Sequence, residues 1–468
     1  MDRYMRFSFR KVMLFALSAL PLFALEASAQ GNGNEVGTTD TLLLTLDDAL
    51  RIAASDNYTV QIADKEIVKQ NYAKKGAYAA LFPQVDFSFN YDRAIKKRTM
   101  VFEGNAMAIG TNNTFTTGFT ASLPLVNLSL WKELRITADN VELTVEKARA
   151  SRLSLIEQVR KAYYAVLLAK DVYDVYKEDY DKAVENCQNV KAKYESGTVA
   201  QYDLIRAQVA VENAAPNVYD SKNAILLAKW RLKAVIGMNL DTPIDCAGSL
   251  MDYEAELGRV SDYNNASLAN NSDLKQLQIQ GDIAERTVKS KIAKYYPSLS
   301  ANINYQWLAQ EDNFKFRQFK WFPLSTGTLT LTIPIFSGGK RYYDVKQARV
   351  AKEQLDLQKA NTERELKVQV MQLVSTMETS SEQFGAANAA VNGAEKGYEI
   401  SAKRYEVGSG TQLELTDAQV ALLQSKLNRT QSLYNFLTNK AGLDTVLGMN
   451  IPDAFKSKGI LIHNNDNE

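Results

Sequence analysis

Few side chains in this sequence are arranged for covalent chemistry. Its one histidine, His463, stands in a polar C-terminal run, so histidine-based acid–base catalysis and histidine metal sites have nothing to use. The glycines of Ser337-Gly338-Gly339 and Gly408-Ser409-Gly410 lack both the strand–helix setting and the following Lys-Ser/Thr of a phosphate loop. No enzyme activity, cofactor or metal is therefore expected. What remains is charge. Glu414 and Asp417 lie three residues apart, on one face of a helix that opens beside a glycine turn. The plainer reading is that Glu414 caps that helix and Asp417 sits in solvent; the functional one is a fixed negative field.

That turn is one of two copies. KYESGTVAQYDLIRAQVA (Lys193 to Ala210) and RYEVGSGTQLELTDAQVA (Arg404 to Ala421) stand 211 residues apart. At this offset 18 of the 47 positions from Lys193 to Asn239 are identical, ending on VIGMN and VLGMN. The chain is internally duplicated. Each half runs short helix, strand, loop, strand, very long helix, tight turn, helix. The first repeat spans 45–239, with a helix opened by a Thr45–Asp48 capping box and running to about Leu81, strands about 85–93 and 115–124, a helix over 128–196 and another over 199–236. After a linker over 240–262, the second repeat (263–450) places a helix from about Asn264 to Tyr296. Strands about 298–308 and 326–335 follow, then helices over 340–407 and 412–447. A tail over 451–468 closes the chain.

The helix over 128–196 holds 69 residues without Gly or Pro and would be ~100 Å long. Tyr176, Tyr180, Ala183, Cys187, Val190 and Tyr194 form a heptad seam within it. Rods of that length make a stalk or a cylinder wall. Gly197-Thr198 and Gly408-Ser409-Gly410 end the long helices, and Thr198 with Gln201 and Thr411 with Glu414 are expected to cap the helices that follow. Pro216 predicts a kink in the first returning helix. Cys187 and Cys246 would sit ~40 Å apart along the hairpin, too far for a disulfide.

The N-terminus reads as a secretory signal over 1–29: Arg3, Arg6, Arg10 and Lys11, then the apolar run Val12 to Leu25, then Ala27-Ser28-Ala29 for cleavage, with 30–44 as an N-terminal segment. Its removal leaves 51 basic against 52 acidic residues, a balance that gives no reason to expect nucleic acid. No later run of 18 apolar residues exists, so membrane entry would have to use strands. The strands have that character. Val85 to Tyr91 alternates without error, as do Leu299 to Trp307 and Thr328 to Ile333; Phe115 to Leu123 has Thr117 as its one polar member on the apolar face. Lengths of about 9–11 residues and a small, uncharged polar face fit a transmembrane barrel. Four strands cannot close one, so several copies must pool theirs. Segments 94–113 and 308–325 become outer loops. The basic run Lys96-Lys97-Arg98 there reads as solvated, with lipopolysaccharide phosphates as the functional alternative.

Across nearly the whole mature chain the sequence resembles the TolC-like outer membrane efflux proteins. The residues that carry this are LTLDDALRIAASDN (Leu44–Asn57), LFP (Leu81–Pro83), LPL (Leu123–Leu125), IPIFSGG (Ile333–Gly339) and the turns at Tyr194–Gly197 and Tyr405–Gly408. The resemblance implies a mainly α fold with a small β part: a homotrimer whose periplasmic α-helical barrel joins a shared 12-stranded transmembrane β-barrel in the outer membrane of a Gram-negative bacterium. It also implies two partners, a periplasmic adaptor (membrane fusion) protein and an inner-membrane pump of RND or ABC type. The two turns become periplasmic tips where the adaptor docks, through Tyr194, Gly197, Thr198, Gly408, Ser409, Gly410 and Thr411. The family's acidic aperture pair falls on Glu414 and Asp417, so a trimer would stack six carboxylates at a constriction. Asp203 and Tyr405 match a pair that holds the aperture shut. At Gly410 the sequence departs from the family's basic lock residue; Arg206, pairing with an acid of the neighbouring hairpin, is the expected substitute. The rival class is a secreted, soluble coiled-coil scaffold.

Overall fold

The computed structural model describes residues 41–102, 104–263 and 267–456; the signal region over 1–29 and His463 lie outside them. The elements in chain order are β1 (Leu42–Leu44), α1 (Leu46–Asp56), α2 (Tyr58–Ala79), β2 (Gln84–Arg93), β3 (Arg98–Phe102), β4 (Asn105–Ile109), β5 (Asn113–Val126), α3 (Leu128–Glu195), α4 (Gln201–Ile236) and β6 (Ile244–Cys246). Then come α5 (Ser272–Ala293), β7 (Ser298–Glu311), β8 (Phe322–Thr332), α6 (Lys340–Glu406), α7 (Gln412–Leu447) and α8 (Asp453–Lys456).

The long helices α3 and α6, of 68 and 67 residues, are the rods around which everything else is hung. The N-terminal half of α3 bonds to α2 through Arg152–Asp64 and to α5 through Ser272 Oγ on Glu146 at 2.7 Å. Its C-terminal half bonds to α7, where Lys426 meets Glu178 at 2.8 Å and Gln419 donates to Asp179 at 2.8 Å. Two short helices therefore share the length of one long one. In the seam, Ala183 and Val190 are buried while Cys187 is only half-buried; both cysteines are free thiols.

The expected single helix over 45–81 is in fact two. The capping box forms, with Asp48 N–H donating to Thr45 Oγ1 at 3.2 Å and Thr45 N–H to Asp48 Oδ2 at 3.3 Å. The helix then breaks at Asn57, whose side chain caps α2 through Thr59 N–H at 2.7 Å and donates to Val235 O at 2.6 Å. The second repeat does the same: Asn271 accepts from Leu274 N–H at 2.9 Å and donates to Val446 O at 2.8 Å. That cap moves the helix start from the expected Asn264 to Ser272, and 3-10 turns occupy 250–263 and 268–270 instead. The shared motif VIGMN/VLGMN has its purpose here. Gly237 and Gly448 end their helices at φ +79 and +65, and a Cβ on Gly448 would lie 2.3 Å from Asn270 O.

The core gathers at this mid-height junction, around Leu44, Val159, Tyr163, Leu232, Phe436 and Leu447. Each aliphatic side chain buried there stabilises the fold by about 1.5–3 kcal/mol. Leu42–Leu44 and Ile244–Cys246 of the linker also pair, β1 with β6 in parallel, Leu44 opposite Cys246. α4 runs unbroken through Pro216.

The strands form one antiparallel sheet in the order β2-β5-β7-β8. β2, β5 and β7 exceed the expected bounds, β8 starts four residues earlier than expected and ends at Thr332, three short of 335, and the first outer loop holds a hairpin, β3–β4. Register carries the apolar alternation across β2, β5 and β7, where Phe87 opposes Phe119 and Phe119 opposes Tyr305; on β8 it continues at Leu329 and Leu331, opposite Ala301 and Leu299, but gives way to Gly327 and Ser325, opposite Ile303 and Tyr305. Gly118 is required where β5 crosses β7, because a Cβ there would sit 2.3 Å from Tyr305 O. β2 and β8 are open edges, and every residue of both is exposed.

Candidate functional site

The two hairpin tips are built from one backbone plan. At the first, Thr198 N–H donates to Lys193 O at 2.9 Å and Gly197 N–H to Tyr194 O at 2.9 Å, with Gly197 at φ +74. At the second, Ser409 N–H donates to Arg404 O at 2.8 Å and Gly408 N–H to Tyr405 O at 3.3 Å, with Gly408 at φ +79. This is the Schellman closure, which satisfies the last helical carbonyls around a left-handed glycine.

Capping then diverges. Thr411 and Glu414 form the expected reciprocal box. Thr198 does not cap α4; its hydroxyl turns back to Lys193 O at 2.8 Å. The residue 211 positions before Thr411 is Ala200, which stands at the N-cap with no side-chain bond. The same offset matches Asp203 with Glu414 and Arg206 with Asp417, so the duplicated tips carry opposite charges at the second position.

Lys193 joins the two tips. Its Nζ donates to Tyr405 O at 2.9 Å and lies 4.4 Å from the centroid of the Tyr405 ring, a bond and a cation–π contact that the sequence reading did not foresee. The Tyr405 hydroxyl is buried and has no hydrogen-bond partner among the described residues. Burial raises its pKa, and the Asp203 carboxylate nearby adds to the rise. Asp203 and Tyr405 are thus brought together electrostatically, without a hydrogen bond between them. Glu414 is committed within its own hairpin: it lies 3.5 Å from Arg404 and accepts from Thr411 N–H at 3.4 Å. Asp417 is exposed, and neither it nor Arg206 has an ionic partner among the described residues. Gly410 is tightly placed, since a Cβ would stand 3.1 Å from Arg404 Cβ and 3.2 Å from Tyr405 N. A basic side chain at 410 would press on the very residues that close the turn.

Above the tips a polar seam locks α3 to α7. Burial alone would raise the Glu178 carboxyl, but hydrogen bonds and charge from Lys182 and Lys426 outweigh it and hold the group below the usual glutamate range. Asp179 goes the other way: burial lifts it despite the Gln419 bond.

At the other end lies the sheet, with an apolar face of Phe87, Phe119, Ile303, Tyr305 and Leu329 opposite a face mainly of Ser, Thr, Asn and Gln; that face, expected to be uncharged, also carries the carboxylates Asp86 and Asp92 of β2. No described helix is long and apolar enough to cross a membrane.

The outer membrane efflux protein family model matches residues 49–238 and 264–449, the two repeats. The alkaline protease secretion protein AprF of Pseudomonas aeruginosa is 22% identical over 88% of this chain and 85% of its own. The outer membrane protein TolC of Vibrio cholerae is 22% identical over 79% and 83%. Among solved structures, the open state of the MtrE outer membrane channel of Neisseria gonorrhoeae superposes with a TM-score of 0.70 at 16% identity, over 91% of this chain and 96% of that one. With both repeats matched, the sheet at one end and the helical tips at the other, the chain belongs to the outer membrane efflux protein family, as a channel of the Gram-negative outer membrane whose long helical part extends into the periplasm.

Proposed function

We propose that three copies pool their sheets into a closed 12-stranded barrel that continues into a helical tunnel. The assembly is a passive conduit, receiving substrates from an inner-membrane pump of RND or ABC type through a periplasmic adaptor. The observation that supports this most is the sheet itself. It has an apolar face in register over β2, β5 and β7 that reaches Leu329 and Leu331 of β8, and two unpaired edges, and open edges are not tolerated in lipid. Pairing β8 of one copy with β2 of the next removes every edge. Relatives that serve protease secretion fit the same conduit, so the cargo is set by the pump.

The tips supply the gate. Six hairpins, alternating first and second, would surround the axis, which sets the unpaired Arg206 of one hairpin beside the unpaired Asp417 of its neighbour. Tyr194, Gly197, Thr198, Gly408, Ser409, Gly410 and Thr411 form the outermost surface for the adaptor. Two measurements test the reading. Purified protein should require detergent, run as a trimer and conduct in planar bilayers; a water-soluble monomeric rod would end the proposal and favour a scaffold. Arg206→Ala should raise single-channel conductance several-fold, and an unchanged closed state would remove Arg206 from the gate.

A further inference from the structure

The outer rim of the sheet carries a feature that conduction does not use. Segments 93–112 and 312–321 together hold seven basic residues against two acidic ones. Among the described residues only Lys97 of these seven has a carboxylate partner, Asp312 at 2.8 Å. Asp312 also accepts from Asn112 N–H at 2.7 Å, which ties the two outer segments together. The second segment reads Phe314-Lys315-Phe316-Arg317-Gln318-Phe319-Lys320-Trp321, aromatic and basic in close alternation.

Its position gives that pattern meaning. Phe316 and Phe319 pack 5.8 and 5.0 Å from Phe115, ring centre to ring centre. Phe115 stands two residues from the outer end of β5, on the same face as Phe119 and Tyr305. The segment therefore folds over the apolar face of the sheet rather than away from it, leaving Phe115 only 4% exposed. Arg93 stacks over Phe314 from the neighbouring segment, 6.0 Å from its centroid. Aromatic rings with flanking cations at the edge of a lipid-facing band are the means by which proteins engage the headgroup layer.

We propose that this rim binds a phosphorylated glycolipid of the outer leaflet, with Arg93, Lys315, Arg317 and Lys320 meeting its phosphates and Phe314 and Phe316, both exposed, lying along its acyl chains. Arginine suits the role because its planar fork grips phosphate in two places. The inference rests on the reading that the apolar face meets lipid.

The test uses the full-length protein in detergent, titrated with bisphosphorylated lipid A, its monophosphoryl form and phosphatidylglycerol, with bound lipid read by native mass spectrometry. The intact protein should retain bisphosphorylated lipid A best. The triple variant Lys315→Gln, Arg317→Gln, Lys320→Gln should bind it at least tenfold more weakly, with trimer mass and conductance unchanged. Equal charge removal on α6 (Lys346→Gln, Arg349→Gln, Lys352→Gln) should leave binding intact. Unweakened binding by the triple variant, an equal loss in the α6 variant, or phosphatidylglycerol held as tightly would each overturn the glycolipid site. A conducting trimer that ignores lipid A removes this inference alone, whereas a soluble monomer removes the channel reading beneath it.

Discussion

The most demanding residues here are the two glycines that end α4 and α7. Gly448 combines φ +65 with a neighbour that leaves no room for a Cβ, and Gly237 combines φ +79 with Asp56 O at 2.9 Å. Left-handed backbone at a non-glycine residue costs of order 1–3 kcal/mol, and the carbonyl contact adds to it. Gly448→Ala should therefore lower unfolding free energy by at least about 2 kcal/mol in chemical denaturation followed by circular dichroism, with Gly237→Ala somewhat milder; equal stability to the parent would mean that the Asn270 carbonyl moves freely. Tyr405→Phe is a contrasting case. The hydroxyl it deletes is buried and unpartnered, so the substitution should be neutral or slightly stabilising, whereas Lys193→Ala, which loses the bond and the ring contact between tips, should loosen them. Proteolysis at the tips would read the difference. The pattern VIGMN/VLGMN was visible as a repeat; its reason was not, because the partners Asn57 and Asn271 lie some 175 residues away in sequence.

Among the elements, the long helices, the glycine turns and the alternating strands could be read from the chain because each is written in local periodicity or in glycine. What escaped was set by contacts between distant segments. The break at Asn57 involves no Gly or Pro; it follows from a cap whose other hydrogen bond goes to α4. Thr198 with Gln201 has the spacing of a capping pair, yet the turn had already taken Thr198 as the residue after its glycine. β1 and β6 are three-residue strands whose pairing spans about 200 positions, beyond any windowed pattern. The seam between α3 and α7 is equally non-local, and it has a pH signature. Because Glu178 titrates below its ordinary range when folded, its pairing with Lys182 and Lys426 contributes fully above the unfolded glutamate value of about 4.3 and is lost as pH falls through the folded one. Glu178→Gln should thus be less stable than the parent at pH 7, with the gap closing below about pH 4. Thermal melts across that range provide the check, and a gap independent of pH would assign the loss to packing instead.

For the whole molecule, the open question is which carboxylates set the field in the proposed pore. Sequence resemblance counts six, Glu414 and Asp417 from each of three chains. The geometry divides them. Glu414 already caps its helix and faces Arg404 at 3.5 Å, so much of its charge is answered within its own hairpin. Asp417 is exposed and without a cationic partner among the described residues. In a closed tip it would face Arg206 of the neighbour; once the hairpins part, it would be free at the narrowest point. A ring of unanswered carboxylates favours cations over anions, and the effect reaches only about 8–10 Å at physiological salt. Asp417→Asn should therefore shift the reversal potential under a KCl gradient toward zero, while Glu414→Gln shifts it less, because glutamine still serves as the third helical residue of the Thr411 capping box and the substitution removes only a charge that Arg404 already answers. In the Arg206→Ala background the contribution of Asp417 should grow, because its closing partner is gone. If Glu414→Gln proved the stronger of the two in selectivity, the intrachain pair with Arg404 would have to open in the assembled trimer, and the lock would need to be sought among the residues of the second tip alone.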